Sequence, residues 1–168
     1  MSQMFFNEIE GAKIAQNMEK NGVVFYQKAA AKAESAAVRD TFLQFAEDEK
    51  THLARFEELE ETLQRERRNG AGYADDAEIA SYIDGLLKTQ VFGDEGDVAR
   101  LADQAEDDLA ALAVAMRAER DSILFYQEMM GLVDSKDAQA AFSTILDEER
   151  DHLRILGERS EHCENCQG

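Results

Sequence analysis

Apolar side chains recur every three or four positions along most of this chain, with polar ones filling the gaps. That period places each apolar set on one face of an α-helix. The pattern predicts four long helices. The first runs from about Asn7 to Ala33, with Ile9, Ile14, Met18, Val23, Phe25 and Ala29 at helical spacing. The second runs from about Val38 to Arg68 and carries Phe42, Phe45, His52, Phe56, Leu59 and Leu63. Asn69-Gly70-Ala71-Gly72 ends it, because Asn and Gly accept the left-handed turn that closes helices. The third spans about Asp107 to Leu132, and the fourth about Asp137 to Arg159, after a turn over Gly131 to Lys136. Between the second and third helices, residues 70–106 hold short helical pieces with Asp75 and Asp97 as N-caps. Val91-Phe92-Gly93-Asp94-Glu95-Gly96 reads as a loop. A connection this long exceeds what a hairpin needs and suits one crossover along a four-helix bundle.

Composition narrows the class. The chain has 168 residues, enough for one domain with a full core, and its 44% hydrophobic content excludes disorder. It has no proline and is rich in helix formers, so the expected class is all-α. The bundle should occupy 1–160, leaving 161–168 as a tail. A formal net charge of −18 argues against nucleic acid or an anionic membrane as partner, since both are bound through Lys and Arg. Such a surface serves solubility and attracts cations, ferrous iron included. No apolar stretch approaches the roughly 18–20 residues that span a bilayer. Met1 to Phe6 lacks the basic segment and long apolar run of a signal peptide, so the cytoplasm is the expected location.

The strongest feature is an internal repeat at an offset of 100 residues (19 to 119). Glu19…Phe25-Tyr26-Gln27 returns as Glu119…Phe125-Tyr126-Gln127. Phe42…Glu49-x-x-His52-Leu53 returns as Phe142…Glu149-x-x-His152-Leu153. Flanking positions match in kind, Ile14 with Val114, Val23 with Ile123, Lys20 with Arg120 and Lys50 with Arg150. The bundle therefore reads as two similar helical hairpins joined by the crossover.

Heights along the helices bring the repeated polar residues together. The first hairpin turns near Ser35, with Glu19 about fifteen residues before the turn and Glu49 to His52 about fifteen after it, so both groups sit roughly 23 Å below it. The second hairpin turns near Ser135, and Glu119 falls level with Glu149 and His152 in the same way. Residues three apart share a helix face, so Glu and His of each Glu-x-x-His point together. The neighbours Phe45, Phe56, Phe142, Ile145 and Leu156 mark that face as buried. Four carboxylates buried in one layer would repel severely, and two divalent cations would balance them. A lone Glu-x-x-His would be an ordinary solvated face; the paired set at matched heights, which uses two of the chain's three histidines, reads as a two-metal site. Tyr26 and Tyr126 lie two turns beyond Glu19 and Glu119, where a hydroxyl could orient a ligand carboxylate; the alternative is a core tyrosine with another partner. Phe25 and Phe125 read as core. Glu47, Asp48, Asp147, Glu148 and Asp151 read as solvated helix charges.

One Glu from each of two helices plus Glu-x-x-His from each of the others is the ligand set of ferritin-like di-iron carboxylate proteins. With Phe25-Tyr26 and Phe125-Tyr126 alongside, the chain from about residue 7 to 157 resembles the rubrerythrin group of that superfamily. The resemblance implies a non-haem di-iron centre on Glu19, Glu49, His52, Glu119, Glu149 and His152, often in a homodimer or larger assembly. It also implies reduction of hydrogen peroxide, reaction with dioxygen, or oxidation of ferrous iron for storage or detoxification. A structural or regulatory module binding zinc or manganese is a further reading, because carboxylate and imidazole serve several metals. Two departures stand out. Many rubrerythrins carry another carboxylate ligand one turn after the third-helix Glu; here that position is Ser122, and Asp121 is on a different face. A symmetric six-ligand site is therefore expected. Full rubrerythrins also end in a rubredoxin-like domain with two Cys-x-x-Cys knuckles, whereas this chain has one, Cys163-Glu164-Asn165-Cys166. Two thiolates are half the set an iron or zinc site wants. His162 or a second subunit could complete it, or the segment is a flexible tail with two reduced thiols. An external electron donor, such as a rubredoxin-like protein, is then expected.

Overall fold

The computed structural model describes residues 7–69 and 77–167, apart from the side chains of Glu95, Cys166 and Gln167. Among the described residues there are six helices and no strand: α1 (Glu8–Lys32), α2 (Ala36–Arg68), α3 (Ala77–Leu87), α4 (Glu95–Gln104), α5 (Asp108–Leu132) and α6 (Lys136–Gln167). The long helices start where side chains can satisfy their free N–H groups. Asn7 accepts from the Glu10 amide at 3.1 Å and Asp107 from the Ala110 amide at 2.8 Å. Two boundaries depart from the sequence expectation. Asp94, not Asp97, caps α4, accepting from the Asp97 amide at 2.8 Å. The helix begins at Glu95, inside the stretch expected to be loop, because the Asp94 carboxylate captures the Asp97 amide, one of the free amides of the first turn. Asp75 lies outside the described residues. α6 continues past Arg159 to Gln167, so the expected tail is helical. Nothing in 160–167 stops it, since the segment lacks Gly and Pro.

α1 packs along α2 and α5 along α6, and the two hairpins meet through α1 with α5 and α2 with α6. A reciprocal pair of caps fixes their relation. At the foot of α5, the Asp108 carboxylate accepts from the amides of Glu34 and Ser35 in the α1–α2 turn, at 3.0 and 2.8 Å. At the foot of α1, the Glu8 carboxylate accepts from the amides of Asp134 and Ser135 in the α5–α6 turn. Each hairpin thus closes the other's turn, and the repeat extends to Glu8 with Asp108 and Ser35 with Ser135. In the crossover, α4 lies on α1. Lys32 donates to the carbonyls of Ala102, Asp103 and Ala105, where α4 ends.

The core divides in two. One half gathers Phe56, Leu63, Tyr126, Met129, Phe142 and Ile145. The other gathers Phe25, Tyr26, Phe42, Phe45, Leu112 and Leu156. Burial of each Phe contributes about 1.5–3 kcal/mol, and edge and tilted ring contacts add to it, Phe56 on Phe142 at 5.1 Å and Tyr26 on Phe45 at 5.4 Å between centroids. A layer of buried Glu and His separates the halves.

Candidate metal centre

Helical spacing brings the layer together. Glu19 comes from α1, Glu49 and His52 from α2, Glu119 from α5, and Glu149 and His152 from α6; none is more than 5% exposed. They form two overlapping donor groups, Glu19, Glu49, His52 and Glu149 in one, and Glu49, Glu119, Glu149 and His152 in the other. Glu49 and Glu149 belong to both. In the first group His52 Nδ1 lies 3.3 Å from Glu19 Oε2 and 3.0 Å from Glu149 Oε1. In the second, His152 Nδ1 lies 3.2 Å from Glu149 Oε2, 3.6 Å from Glu49 Oε1 and 3.7 Å from Glu119 Oε1. Both imidazoles turn the same nitrogen inward, and their rings stack at 5.7 Å.

Three fully buried atoms of the first group, Glu19 Oε2, His52 Nδ1 and Glu149 Oε1, lie close to one another yet make no hydrogen bond of good geometry. Unmade bonds at buried polar atoms cost about 1–3 kcal/mol each, more for charged groups. A cation among them would satisfy all three at once, and donors about 3 Å apart suit adjacent positions around an ion with bonds near 2.1 Å. The donor set therefore fits a metal, and mixed carboxylate and imidazole suits iron among others.

Proton balance points the same way. Burial, then the charges of Glu149 and Glu19, push the Glu49 carboxyl well above its usual range. Burial and Glu149 push Glu119 up to about 8. Burial opposes charge on His52 and His152, but the surrounding carboxylates outweigh it and hold both imidazoles protonated far above their ordinary value. Without a cation, the cluster compensates its carboxylates with protons.

The two halves orient each other's donors. The Tyr26 hydroxyl donates to Glu119, and the Tyr126 hydroxyl to Glu19, each across to the other hairpin. Outside the layer, His52 Nε2 lies 2.7 Å from Glu148 Oε2 and His152 Nε2 lies 3.2 Å from Asp48 Oδ2. Asp48 and Glu148 are therefore not merely solvated helix charges. A carboxylate on Nε2–H fixes the tautomer and leaves the Nδ1 lone pair for an ion. Arg55 Nη1 in turn holds Glu148 at 2.8 Å. The signal in the sequence is that an acid precedes Glu-x-x-His in both halves. Helix periodicity hides it, because each acid serves the histidine of the other hairpin. Replacing Glu148 with Gln, or Asp48 with Asn, should weaken metal affinity by about 10–100-fold. A competition titration with a chromophoric chelator reads this, and unchanged affinity in both variants would refute the role.

Gly22, one turn after Glu19, makes room for Glu49. A Cβ there would meet the Glu49 carboxylate carbon and Oε2 at 3.1 Å, so only glycine leaves that side chain undisturbed. The repeat partner of Gly22 is Ser122. Asp121 joins neither donor group; it accepts from the Val91 amide at 2.7 Å. His162 and Cys163 are in the last turns of α6 and outside both donor groups, with Cys163 half-buried; the Cys166 side chain lies outside the described residues.

Among the described residues the fold is all-helical around a buried Glu and His cluster that could bind metal and is compatible with iron. The rubrerythrin family model matches residues 13–159, and the chain belongs to that family. Among solved structures, a DUF305 fragment from Deinococcus radiodurans superposes with a TM-score of 0.66, covering 92% of this chain and 95% of that chain at 11% identity. At that identity the likeness is one of fold. No curated protein matches the chain. No helix among the described residues is long and apolar enough to cross a membrane.

Proposed function

We propose that the chain is a ferritin-like four-helix bundle of two hairpins with one long crossover, acting as a non-haem di-iron oxidoreductase that reduces hydrogen peroxide. The observation that carries the reading is the pair of donor groups sharing Glu49 and Glu149, with three buried atoms left without a hydrogen bond of good geometry. Family membership supports iron as the metal and peroxide as the oxidant. Glu19, Glu49, His52 and Glu149 would hold one ion, and Glu49, Glu119, Glu149 and His152 the other. Two ferrous ions would supply the two electrons that cleave the O–O bond of peroxide. The protein's own part is positional. Tyr26 and Tyr126 hold the Glu119 and Glu19 carboxylates in place. Glu148 and Asp48 keep a proton on Nε2 of each imidazole, so that Nδ1 faces inward. Phe45, stacked on His152 at 4.0 Å, helps keep water out. The protons held by Glu49 and Glu119 must leave when cations enter.

The protein works in this reading as a cytoplasmic homodimer or larger homo-oligomer, re-reduced by an external donor such as a rubredoxin-like protein, with Cys163 and Cys166 as accessory thiols. The test is anaerobic loading with two ferrous ions per chain, then rapid mixing with peroxide or with oxygen. Near-ultraviolet absorbance reports the ferric pair. Faster oxidation by peroxide is expected. Faster oxidation by oxygen with continuing consumption of added ferrous iron would replace this reading with ferrous iron oxidation. Metal binding without reaction toward either oxidant would leave a structural or regulatory module.

A further inference from the structure

The donor layer is buried, so an ion needs a way in. Among the described residues, a cleft between α1 and α5 reaches it. Glu49 and Glu119 form its inner end, and Gly22 and Ser122, the repeat partners, lie beside them. Its outer part is lined by Met18, Asp121 and the crossover residues Gln90, Val91 and Phe92. The open space is about 20 Å³, room for one water molecule.

The crossover forms a roof here, pinned at three points. Gln90 Nε2 donates to Met18 Sδ at 3.5 Å. The Asp121 carboxylate accepts from the Val91 amide at 2.7 Å. Phe92 packs on Phe25 with ring centroids 5.2 Å apart. The space goes with small residues at two repeat-related positions, Gly22 and Ser122, which both line the cleft and do not fill it.

We propose that this cleft is the passage by which a divalent cation reaches the buried donors, with Asp121 both drawing the ion and holding the roof. The inference rests on the metal reading above. Its chemistry is that of a hard cation path: carboxylate at the mouth, amide and hydroxyl oxygens along the wall, carboxylates at the end. Glu49 and Glu119 are the receiving pair, being the two donors of the layer that line the cleft.

The test is stopped-flow uptake of cobalt(II) by the metal-free full chain, followed by visible absorbance, with the final stoichiometry measured separately. Ser122→Leu fills the cleft while leaving all six donor residues in the chain, and should slow uptake about tenfold or more, an added barrier of at least about 1.4 kcal/mol. Asp121→Asn keeps the shape and removes the charge; uptake should slow by about tenfold, at the low end of electrostatic steering. In both, the final stoichiometry should equal that of the unaltered chain. Ala140→Leu, in the groove between α2 and α6 that reaches none of the six donors, should leave the rate unchanged. Unchanged rates in Ser122→Leu and Asp121→Asn would overturn the passage while leaving the metal reading intact. If Ser122→Leu fails to fold, Asp121→Asn alone decides. Failure of the unaltered chain to take up cobalt would overturn the metal reading and the passage with it.

Discussion

Replacing both Glu49 and Glu149 with Ala should abolish metal binding, from two ions per chain to none. These two carboxylates are the ones common to both donor groups. Their loss leaves one Glu and one His on each side, Glu19 with His52 and Glu119 with His152. Two donors on a buried ion cannot offset its dehydration, and no other described acid or histidine joins either group. The metal-free variant should still fold, since the apolar halves of the core keep every contact except those to the two glutamates. Two fewer buried carboxylates also relieve repulsion within the layer. Far-ultraviolet circular dichroism and metal analysis after anaerobic reconstitution check both points. A folded double variant with full metal stoichiometry would sink the assignment.

The metal-free protein should lose stability as pH rises from about 5 to 9, and metal should reverse that trend. The sign follows from proton counts. Glu119 titrates at about 8 in the folded state and near 4.3 unfolded; Glu49 is raised in the same sense. Such a group imposes no penalty below the unfolded value. It weakens the folded state progressively as pH climbs through the folded value. His52 and His152, also raised, contribute stability fully present below about pH 6.5 and lost above it. Glu149 and Glu148, both lowered by hydrogen bonds despite their burial, change charge only in the acid range and add no slope between pH 5 and 9. Around neutral pH the folded state therefore binds more protons than the unfolded, and stability falls with pH by about 1.4 kcal/mol per unit for each extra proton. Cations take the place of those protons, so metal affinity rises with pH. At free metal about 1,000 times the dissociation constant, each ion adds about 4 kcal/mol. Thermal melts at pH 6 and 8.5, with chelator and with metal, read the two slopes. A metal-free melting temperature that stays flat across this range would contradict the proton balance. The Glu49→Ala, Glu149→Ala chain should show a weaker slope than the unaltered one.

The four long helices, the repeat and the gathering of six Glu and His side chains in one buried layer were legible in the sequence for a physical reason. A buried carboxylate on an apolar helix face is costly enough to demand a partner. Two copies of the same costly pattern at matched heights leave few arrangements. Local periodicity also gave the helix starts at Asn7 and Asp107, because a cap acts over three residues.

What local pattern could not give is everything that crosses between hairpins. Glu8 and Asp108 close each other's turns, Tyr26 and Tyr126 reach the opposite glutamate, and Asp48 and Glu148 steady the opposite histidine. Glu8, Asp108, Asp48 and Glu148 look ordinary on their own helices; for Tyr26 and Tyr126 helix register suggested a carboxylate partner, but not that it belongs to the other hairpin. The crossover is a similar case. Its sequence shows turns and short amphipathic pieces, but that Gln90 to Phe92 roof a cleft beside the donors depends on how α1 and α5 meet. The sequence by itself determined which residues would be buried, charged and level with one another. Tertiary packing decided which of them touch, because contact between distant segments depends on the relative placement of helices, and periodicity along one helix carries no information about that.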